Sequence, residues 1–161
     1  MTDKPIVPLI SLDPAAVLAL NNDSAEETSP LDPASLARLI GVSIYAGGVA
    51  PADAMLIAFD QTADYDSPNF LWLQERFDRF IYIDRVIVAA TARGTGLGKR
   101  LYEDLRDWAR SSGHARIVCE VNTQPDNPTS HAFHLGFGFQ AVGDARHSAE
   151  KAVRFYALGL R

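Results

Sequence analysis

The sequence contains a single cysteine, Cys119, among its 161 residues. One thiol cannot form an internal disulfide or a cysteine-rich metal site, and its place in the apolar run 117–119 predicts a buried, inert side chain. No apolar run approaches the ~18 residues that span a membrane. The first nine residues carry an acid and two prolines, which is not typical of a secretion signal. These absences predict a cytoplasmic protein without a membrane partner.

Positive charge is also scarce, since the formal net charge is −5 and the isoelectric point is about 5.3. An acidic chain of this kind does not favour binding to a nucleic-acid backbone. Three cations are nevertheless close together, namely Arg93, Lys99 and Arg100. This local basic cluster suits a small anionic ligand better than nucleic acid. The length predicts one domain over residues 1–161.

A glycine-rich turn follows an apolar strand in the middle of the sequence. Residues 84–98 read D-R-V-I-V-A-A-T-A-R-G-T-G-L-G and are followed directly by a helical pattern. Glycine lets a ligand approach the backbone, and the free N–H groups at a helix N-terminus favour an anion. The pattern therefore predicts a phosphate-binding turn. The alternative is a glycine-rich turn that only begins a helix.

Two common phosphate-binding motifs do not fit this turn. A P-loop would need Gly at the position of Arg93 and Ser or Thr at the position of Arg100. A dinucleotide fingerprint needs G-x-G-x-x-G, whereas Gly94, Gly96 and Gly98 are spaced G-x-G-x-G. The pattern that remains is R-x-x-G-x-G directly after a strand.

Hydrophobic periodicity and turn signals predict a single-domain α+β fold with a mixed, mostly antiparallel sheet. One βαβ crossover lies in the middle of the chain. The predicted strands cover residues 5–12, 42–50 with an interruption at Gly47–Gly48, 55–59, 81–89, 115–121, 139–142 and 153–158. The predicted helices cover residues 14–20, 33–40, 70–80, 96–111 and 127–135.

The R-x-x-G-x-G turn resembles the pyrophosphate loop of the GCN5-related N-acetyltransferases. A second segment, N-P-T-S-H-A-F-H-L-G-F-G-F from Asn127 to Phe139, carries the family's Asn and Gly-Phe at the expected spacing. The resemblance covers about residues 81–158. It implies an acyl-CoA N-acyltransferase fold and direct transfer of an acetyl group from acetyl-CoA to an amine.

The resemblance also implies where acetyl-CoA or coenzyme A binds. The pyrophosphate would lie on the amides of the glycine turn, and the pantetheine arm would pair with the main chain of the central strand. An asparagine beside that arm completes the implied site. The implied cofactor-binding residues are Val86, Ile87, Val88, Arg93, Gly94, Thr95, Gly96, Leu97, Gly98, Lys99 and Asn127.

Two residues occupy the catalytic positions of the family. Asp84 stands in its acidic position and is the predicted base; strand alternation predicts that Asp84, Val86 and Val88 share a face and that Arg85 is a poor partner. The alternative is that Asp84 only pairs with a cation. His134 stands where the family has a tyrosine that protonates the leaving thiolate, and histidine can donate a proton near neutral pH. The alternatives for His134 are that it only packs against the sheet, or that the thiolate leaves without it.

The acceptor is not defined by the sequence. Two polar segments lie where the family's loops overhang the acceptor pocket, and the alternative is that both are solvated. The resemblance implies a small-molecule or peptide amine, and a homodimer is one option. His131 and His134 are three apart, with Asp126 or Glu120 nearby, but no metal site is predicted. A non-catalytic acyl-CoA binding module and a nucleotide-phosphate binding protein remain alternatives. The residues of the two polar segments are Asn21, Asn22, Glu26 and Glu27 in one, and Asp64, Tyr65 and Asp66 in the other.

Overall fold

A seven-stranded mixed sheet forms the centre of the fold in the computed structural model, which describes residues 4–24 and 29–160. The strands are β1 (Val7–Pro8), β2 (Tyr45–Val49), β3 (Ala54–Asp60), β4 (Ile81–Val88), β5 (Arg116–Gln124), β6 (Gln140–Arg146) and β7 (Ala152–Gly159). The α-helices are α1 (Pro14–Asp23), α2 (Pro33–Val42), α3 (Pro68–Arg76), α4 (Leu97–Ser111) and α5 (Pro128–Phe137).

The strand order is β1-β2-β3-β4-β5-β7-β6. Only β4 and β5 run parallel among these strands, and every other neighbouring pair is antiparallel. Helix α4 connects the parallel pair, as a crossover requires. The α+β class, the mixed sheet and the central crossover are therefore confirmed.

The sheet is covered on both faces. One face packs against α4 and α5, and the other against α1, α2 and α3. Helix α4 illustrates the pattern, because Leu101 and Leu105 are fully buried while its charged residues point outward. Gly96 precedes the helix with φ +83°, and Gly113 follows it with φ +80°. The predicted helix over 96–111 is confirmed to within one residue.

The N-terminal part of the sequence prediction needs correction. The strand expected over residues 5–12 is reduced to Val7–Pro8, and the chain then turns into a 3₁₀ helix at Leu9–Ser11. Proline has no N–H to offer to a sheet, so two prolines within four residues limit the pairing. The first helix is longer than predicted and ends at Asp23, so Asn21 and Asn22 are helical and not in a loop. Glu26 and Glu27 lie outside the described residues.

Smaller corrections concern element boundaries. Strand β2 passes through Gly47–Gly48 without interruption. A Cβ on Gly48 would meet the Leu9 and Leu12 side chains at 2.9 Å, so glycine allows the first segment to pack closely over this strand. Helix α3 begins and ends earlier than the predicted 70–80. Strands β5, β6 and β7 and helix α5 each extend beyond the predicted ranges.

The two parallel strands separate soon after they meet. Strand β4 pairs with β5 only at Ile81↔Ile117 and Tyr82↔Val118. Beyond this point β4 stays paired with β3 as far as Val88, while β5 stays paired with β7. A fork therefore opens between the strands toward their carboxyl ends, next to the turn that begins α4.

Truncation of the α4 core contact should destabilise the protein far more than truncation of a surface leucine. Leu105→Ala removes a side chain with no exposed surface and should lower the unfolding free energy by about 3 kcal/mol. Leu135→Ala, on the surface of α5 and 56% exposed, is the control and should change it by less than ~0.5 kcal/mol. Urea denaturation measures both; equal effects would contradict the described packing.

Candidate active site

A cavity of about 200 Å³ occupies the fork between β4 and β5. It passes through the sheet at the point where the strands separate, so groups from both faces reach it. Its polar lining combines carboxylates, a histidine, a tyrosine and amides. The lining residues are Asn69, Ile83, Asp84, Arg85, Val86, Tyr102, Cys119, Glu120, Val121, Asn122, Asn127, Ser130, His134 and Lys151.

A β-bulge sets the direction of the Asp84 side chain. Ala58 pairs with Ile83 and Ile57 pairs with Arg85, so Asp84 is an extra residue on β4. The bulge interrupts strand alternation, and Asp84 and Arg85 therefore point to the same side. The predictions that Asp84 shares a face with Val86 and Val88, and that Arg85 is a poor partner, are both wrong. Val86 and Val88 pack on the α4 face instead.

Both carboxylate oxygens of Asp84 are engaged. Arg85 Nε donates to Asp84 Oδ2 at 2.8 Å, and Tyr65 Oη donates to Asp84 Oδ1 at 2.5 Å. The side chains of Asp84 and Arg85 are only 4% and 6% exposed, so this is a buried ion pair. Burial, together with the charge of Asp84, raises the pKa of Tyr65. Tyr65 therefore stays a neutral donor.

Arg85 extends this network to the first helix. Its Nη1 donates to Asn21 Oδ1 at 2.8 Å, and Asn21 is fully buried. Asn21 thus contacts the site through Arg85. The sequence analysis had instead placed Asn21 in a loop over the acceptor pocket. The arrangement connects α1, β4 and the loop that carries Tyr65.

Glu120 is a second carboxylate in the cavity. Tyr82 Oη donates to Glu120 Oε1 at 2.7 Å, and Asn69 also donates to this carboxylate. Burial, with a smaller effect of the Asp84 charge, raises the pKa of Glu120 to about 7, although the hydrogen bonds and Lys151 oppose the change. Glu120 is thus able to gain or lose a proton near neutral pH. The sequence analysis considered Glu120 only beside a metal site; the missed signal is one charge within the apolar run 117–121.

His134 lies on the other side of the fork and is 5% exposed. Its Nδ1 is 2.7 Å from the main-chain oxygen of Ser130, and its Nε2 is 2.8 Å from Tyr102 Oη. Burial lowers the pKa of His134, although the bond to Ser130 opposes this. His134 and Asp84, the two residues predicted to be catalytic, line the same cavity from opposite faces of the sheet.

The glycine turn lies at the carboxyl end of β4. Residues 93–96 and Lys99 are exposed, whereas Leu97 is turned into the core. Within the described part of the chain no side chain caps α4, so its first N–H groups are left without a side-chain acceptor. The positive φ values of Gly94 and Gly96 shape the turn, and a Cβ on either would meet no atom of the chain within 4 Å. The space outside these glycines can hold a ligand.

Other predicted residues are brought to the same region. Val86 and Val88 lie where the β5-facing edge of β4 has no strand partner among the described residues. Asn127 lines the cavity and caps α5, accepting from the Ser130 N–H at 3.2 Å. His131 bonds to Tyr156 Oη and to the main-chain oxygen of Asn122. Across residues 4–24 and 29–160, no three His, Cys, Asp or Glu side chains are grouped to hold a metal ion.

A second pocket of about 280 Å³ adjoins the cavity through Arg85, which lines both. It lies beside α2 and the loop before α3. Asp64 and Asp66 are exposed at this pocket, and Tyr65 lines it. The predicted loop residues 64–66 are thus adjacent to the fork. In the same described ranges, no helix has the length and apolar character to cross a membrane.

Comparison with known proteins identifies the family. The acetyltransferase (GNAT) family model matches residues 58–139, which is 82 of the 161 residues. The chain belongs to this family. No curated protein sequence matches the chain significantly.

Solved structures share the fold at low sequence identity. The ribosomal-protein-S18-alanine N-acetyltransferase of Escherichia coli has a TM-score of 0.74 at 17% identity, over 98% of this chain and 94% of that one. Ard1 of Thermoplasma volcanium has a TM-score of 0.72 at 15% identity, over 99% of both chains. Arabidopsis thaliana NAA60, in complex with acetyl-CoA, has a TM-score of 0.68 at 13% identity, over 98% and 100% of the two chains.

Glu120 should titrate near pH 7, and its carboxyl carbon chemical shift followed against pH measures this. Asp84→Asn removes a neighbouring negative charge and should lower the Glu120 pKa. The control is Asp144→Asn, which removes an exposed carboxylate on β6 that pairs with Arg154. This variant should not change the Glu120 pKa. A wild-type midpoint at the ordinary value of 4.5 would contradict the described environment.

The raised pKa also has a consequence for stability. Between pH 4.5 and about 7 the folded state holds more protons on Glu120 than the unfolded state does. The contribution of Glu120 to the unfolding free energy therefore falls as pH rises through this window. Glu120→Gln should remove that part of the slope in denaturation experiments; an unchanged slope would argue against the assignment.

Proposed function

We propose that this protein is an acetyl-CoA-dependent N-acetyltransferase that acts on a primary amine by direct attack. The observation that carries the proposal is the fork between β4 and β5. It combines an opening through the sheet, two carboxylates inside it, and a glycine turn at its end that begins a helix without a side-chain cap. The acetyl-CoA in the structure of NAA60 supports the choice of donor.

The chain offers a continuous path for the donor. Backbone amides of residues 93–99 would hold the pyrophosphate, with Arg93 and Lys99 adding positive charge. The open edge of β4 at Val86, Ile87 and Val88 would pair with the pantetheine arm, and Asn127 would lie beside it. Acetyl-CoA supplies an activated acetyl thioester at the inner end of this path.

Glu120 is the base that the contacts favour. An ammonium has no lone pair, so the acceptor must lose a proton before it attacks. Asp84, the base predicted from the sequence, is already paired with Arg85 and bonded by Tyr65, whereas Glu120 has a pKa of about 7. A base whose pKa is near the working pH is the more effective. Asp84 in this proposal raises the pKa of Glu120 and positions Arg85.

The nitrogen loses two protons in this reaction and the leaving thiolate gains one. The first ammonium proton passes to the Glu120 carboxylate, and the amine nitrogen then forms a bond to the carbonyl carbon. The carbon–sulfur bond breaks as the second proton leaves the nitrogen to solvent water. The leaving thiolate takes a proton from the other side of the fork, where His134 is the acid predicted from the sequence. A main-chain N–H of β4 would stabilise the developing charge on the carbonyl oxygen.

The acceptor would approach through the second pocket. Because Arg85 is paired with Asp84, the other charged residues that line this pocket are Asp64, Asp66 and Arg38. Their net negative charge would attract a cationic amine, and the shared residue Arg85 lies between this pocket and the fork. Acetyl-CoA would then enter the fork from the glycine turn, and the acceptor would enter it from the second pocket. The acceptor is proposed to be a small-molecule or peptide amine.

Calorimetric titration tests the donor site. Wild-type protein should bind acetyl-CoA at micromolar concentration and should not bind ATP. Gly96→Val should abolish the binding, because its side chain would fill the space where phosphate meets the backbone. Gly113→Val replaces a glycine with a similar positive φ, +80° against +83°, at the other end of α4. It is the matched control for strain, so it should still bind. Loss of binding in both variants, or none in the wild type, would contradict the site.

A screen of peptides with free N-termini and of small diamines, read by thiol release, tests turnover. With the acceptor that it identifies, Glu120→Gln should lower kcat about 100-fold and leave acetyl-CoA affinity within about threefold. Asp84→Asn should lower kcat less. The reverse order would assign the base to Asp84, and CoA binding without turnover in the wild type would identify an acyl-CoA binding module instead.

A further inference from the structure

Helices α4 and α5 bring two side chains into one hydrogen bond at the edge of the fork cavity. Tyr102 Oη lies 2.8 Å from His134 Nε2, although the residues are 32 apart in sequence. Both residues line the cavity. Tyr102 is 3% exposed and His134 is 5% exposed, so solvent does not compete for this bond from outside.

The partners of His134 assign its proton. The main-chain oxygen of Ser130 can only accept, so Nδ1 at 2.7 Å from it carries the hydrogen. In the neutral ring Nε2 is then an acceptor, and the hydroxyl of Tyr102 donates to it. Neutral His134 consequently has no N–H directed at the cavity. The donor in this pair is the Tyr102 hydroxyl.

Aromatic packing fixes the position of that hydroxyl. The Tyr102 ring contacts Phe133, Phe137 and Phe139 edge-on, with centroid distances of 5.0, 5.6 and 6.0 Å. Apolar rings offer the hydroxyl no hydrogen bond, so its orientation is determined by His134 and by what enters the cavity. A fixed donor of this kind is suited to proton transfer.

Electrostatics favour the neutral pair. Burial raises the pKa of Tyr102, and Cys119 and Glu120 add to the effect. Burial lowers the pKa of His134, with a smaller effect of His131. The titratable groups that line the cavity beside the pair are Asp84 and Arg85 on β4, Cys119 and Glu120 on β5, and Lys151 before β7. At neutral pH the pair therefore holds one transferable proton, on Tyr102.

We propose that the Tyr102 hydroxyl, and not His134, donates the proton to the leaving thiolate, while His134 accepts from the hydroxyl and orients it before the thiolate forms. The inference rests on the proposed function. The hydroxyl turns from His134 Nε2 to the sulfur, and its oxygen–hydrogen bond breaks as the sulfur–hydrogen bond forms. Solvent water that enters the cavity after CoA has left returns a proton to the phenolate. Tyr102 is the catalytic residue of the pair, and His134 is the positioning residue. A hydroxyl from α4 would thus replace the tyrosine that α5 lacks.

The titration of bound CoA tests the inference without an acceptor. A hydroxyl that donates to sulfur stabilises the thiolate. Tyr102→Phe should therefore reduce the thiolate fraction of bound CoA, measured by ultraviolet absorbance against pH, about tenfold at a given pH, with CoA affinity within about threefold. Tyr156→Phe removes a buried hydroxyl that bonds to His131 and is the matched control; it should titrate like the wild type. If CoA bound to Tyr102→Phe titrates as it does in the wild type, the inference about Tyr102 is overturned but the proposed function is not. If the wild-type protein does not bind CoA, both the inference and the proposed function are overturned.

The tautomer of His134 provides a second test of the inference, and this test needs no variant. Imidazole nitrogen shifts of the wild-type protein should show the proton on Nδ1 and an accepting Nε2 at neutral pH. A proton on Nε2 would contradict the role of His134 as the acceptor that orients the hydroxyl, because His134 would then donate to the Tyr102 oxygen.

Discussion

The early separation of β4 from β5 is the constraint on which the rest of this site depends. Two residue pairs join the strands, and after Tyr82↔Val118 each is held by its other neighbour. A continuous sheet would keep the two faces apart. The fork instead lets the carboxylates on the side of α3 and the Tyr102–His134 pair on the side of α4 and α5 line one cavity. In the proposed reaction, the acid and the base would then act from opposite sides on a substrate between the strands.

The bulge at Asp84 gives the two carboxylates different properties. Because it turns Asp84 toward Arg85, one carboxylate is held as a buried ion pair that also reaches Asn21 on α1. The negative charge that remains next to Glu120 contributes to its pKa of about 7, after the larger effect of burial. Unequal environments for neighbouring titratable groups are a common basis for assigning acid and base roles.

Patterns local in sequence were predictable. The periodicity of α4, the glycines at its ends and the order of strands in the C-terminal half predicted the fold class. The R-x-x-G-x-G turn and the segment from Asn127 to Phe139 carried the resemblance to the family. Contacts between segments that are distant in sequence were not predictable. Strand alternation predicted the wrong side of the sheet for Asp84, because a β-bulge can be recognised only when the pairing of the strands is known. The bond between Tyr102 and His134 joins two helices, and no spacing rule relates them. Glu120 could be recognised as one charged residue in an apolar strand, but its raised pKa depends on burial by other elements.

Hydrogen–deuterium exchange of the whole protein with and without acetyl-CoA tests the central claim most directly, because it locates the ligand on the chain. Binding in the fork should slow exchange at residues 86–88, in the turn 93–99 and around Asn127, and leave β6 at the far edge of the sheet unchanged. Protection confined to other segments, or no protection at saturating acetyl-CoA, would contradict the account of the fork as the donor site.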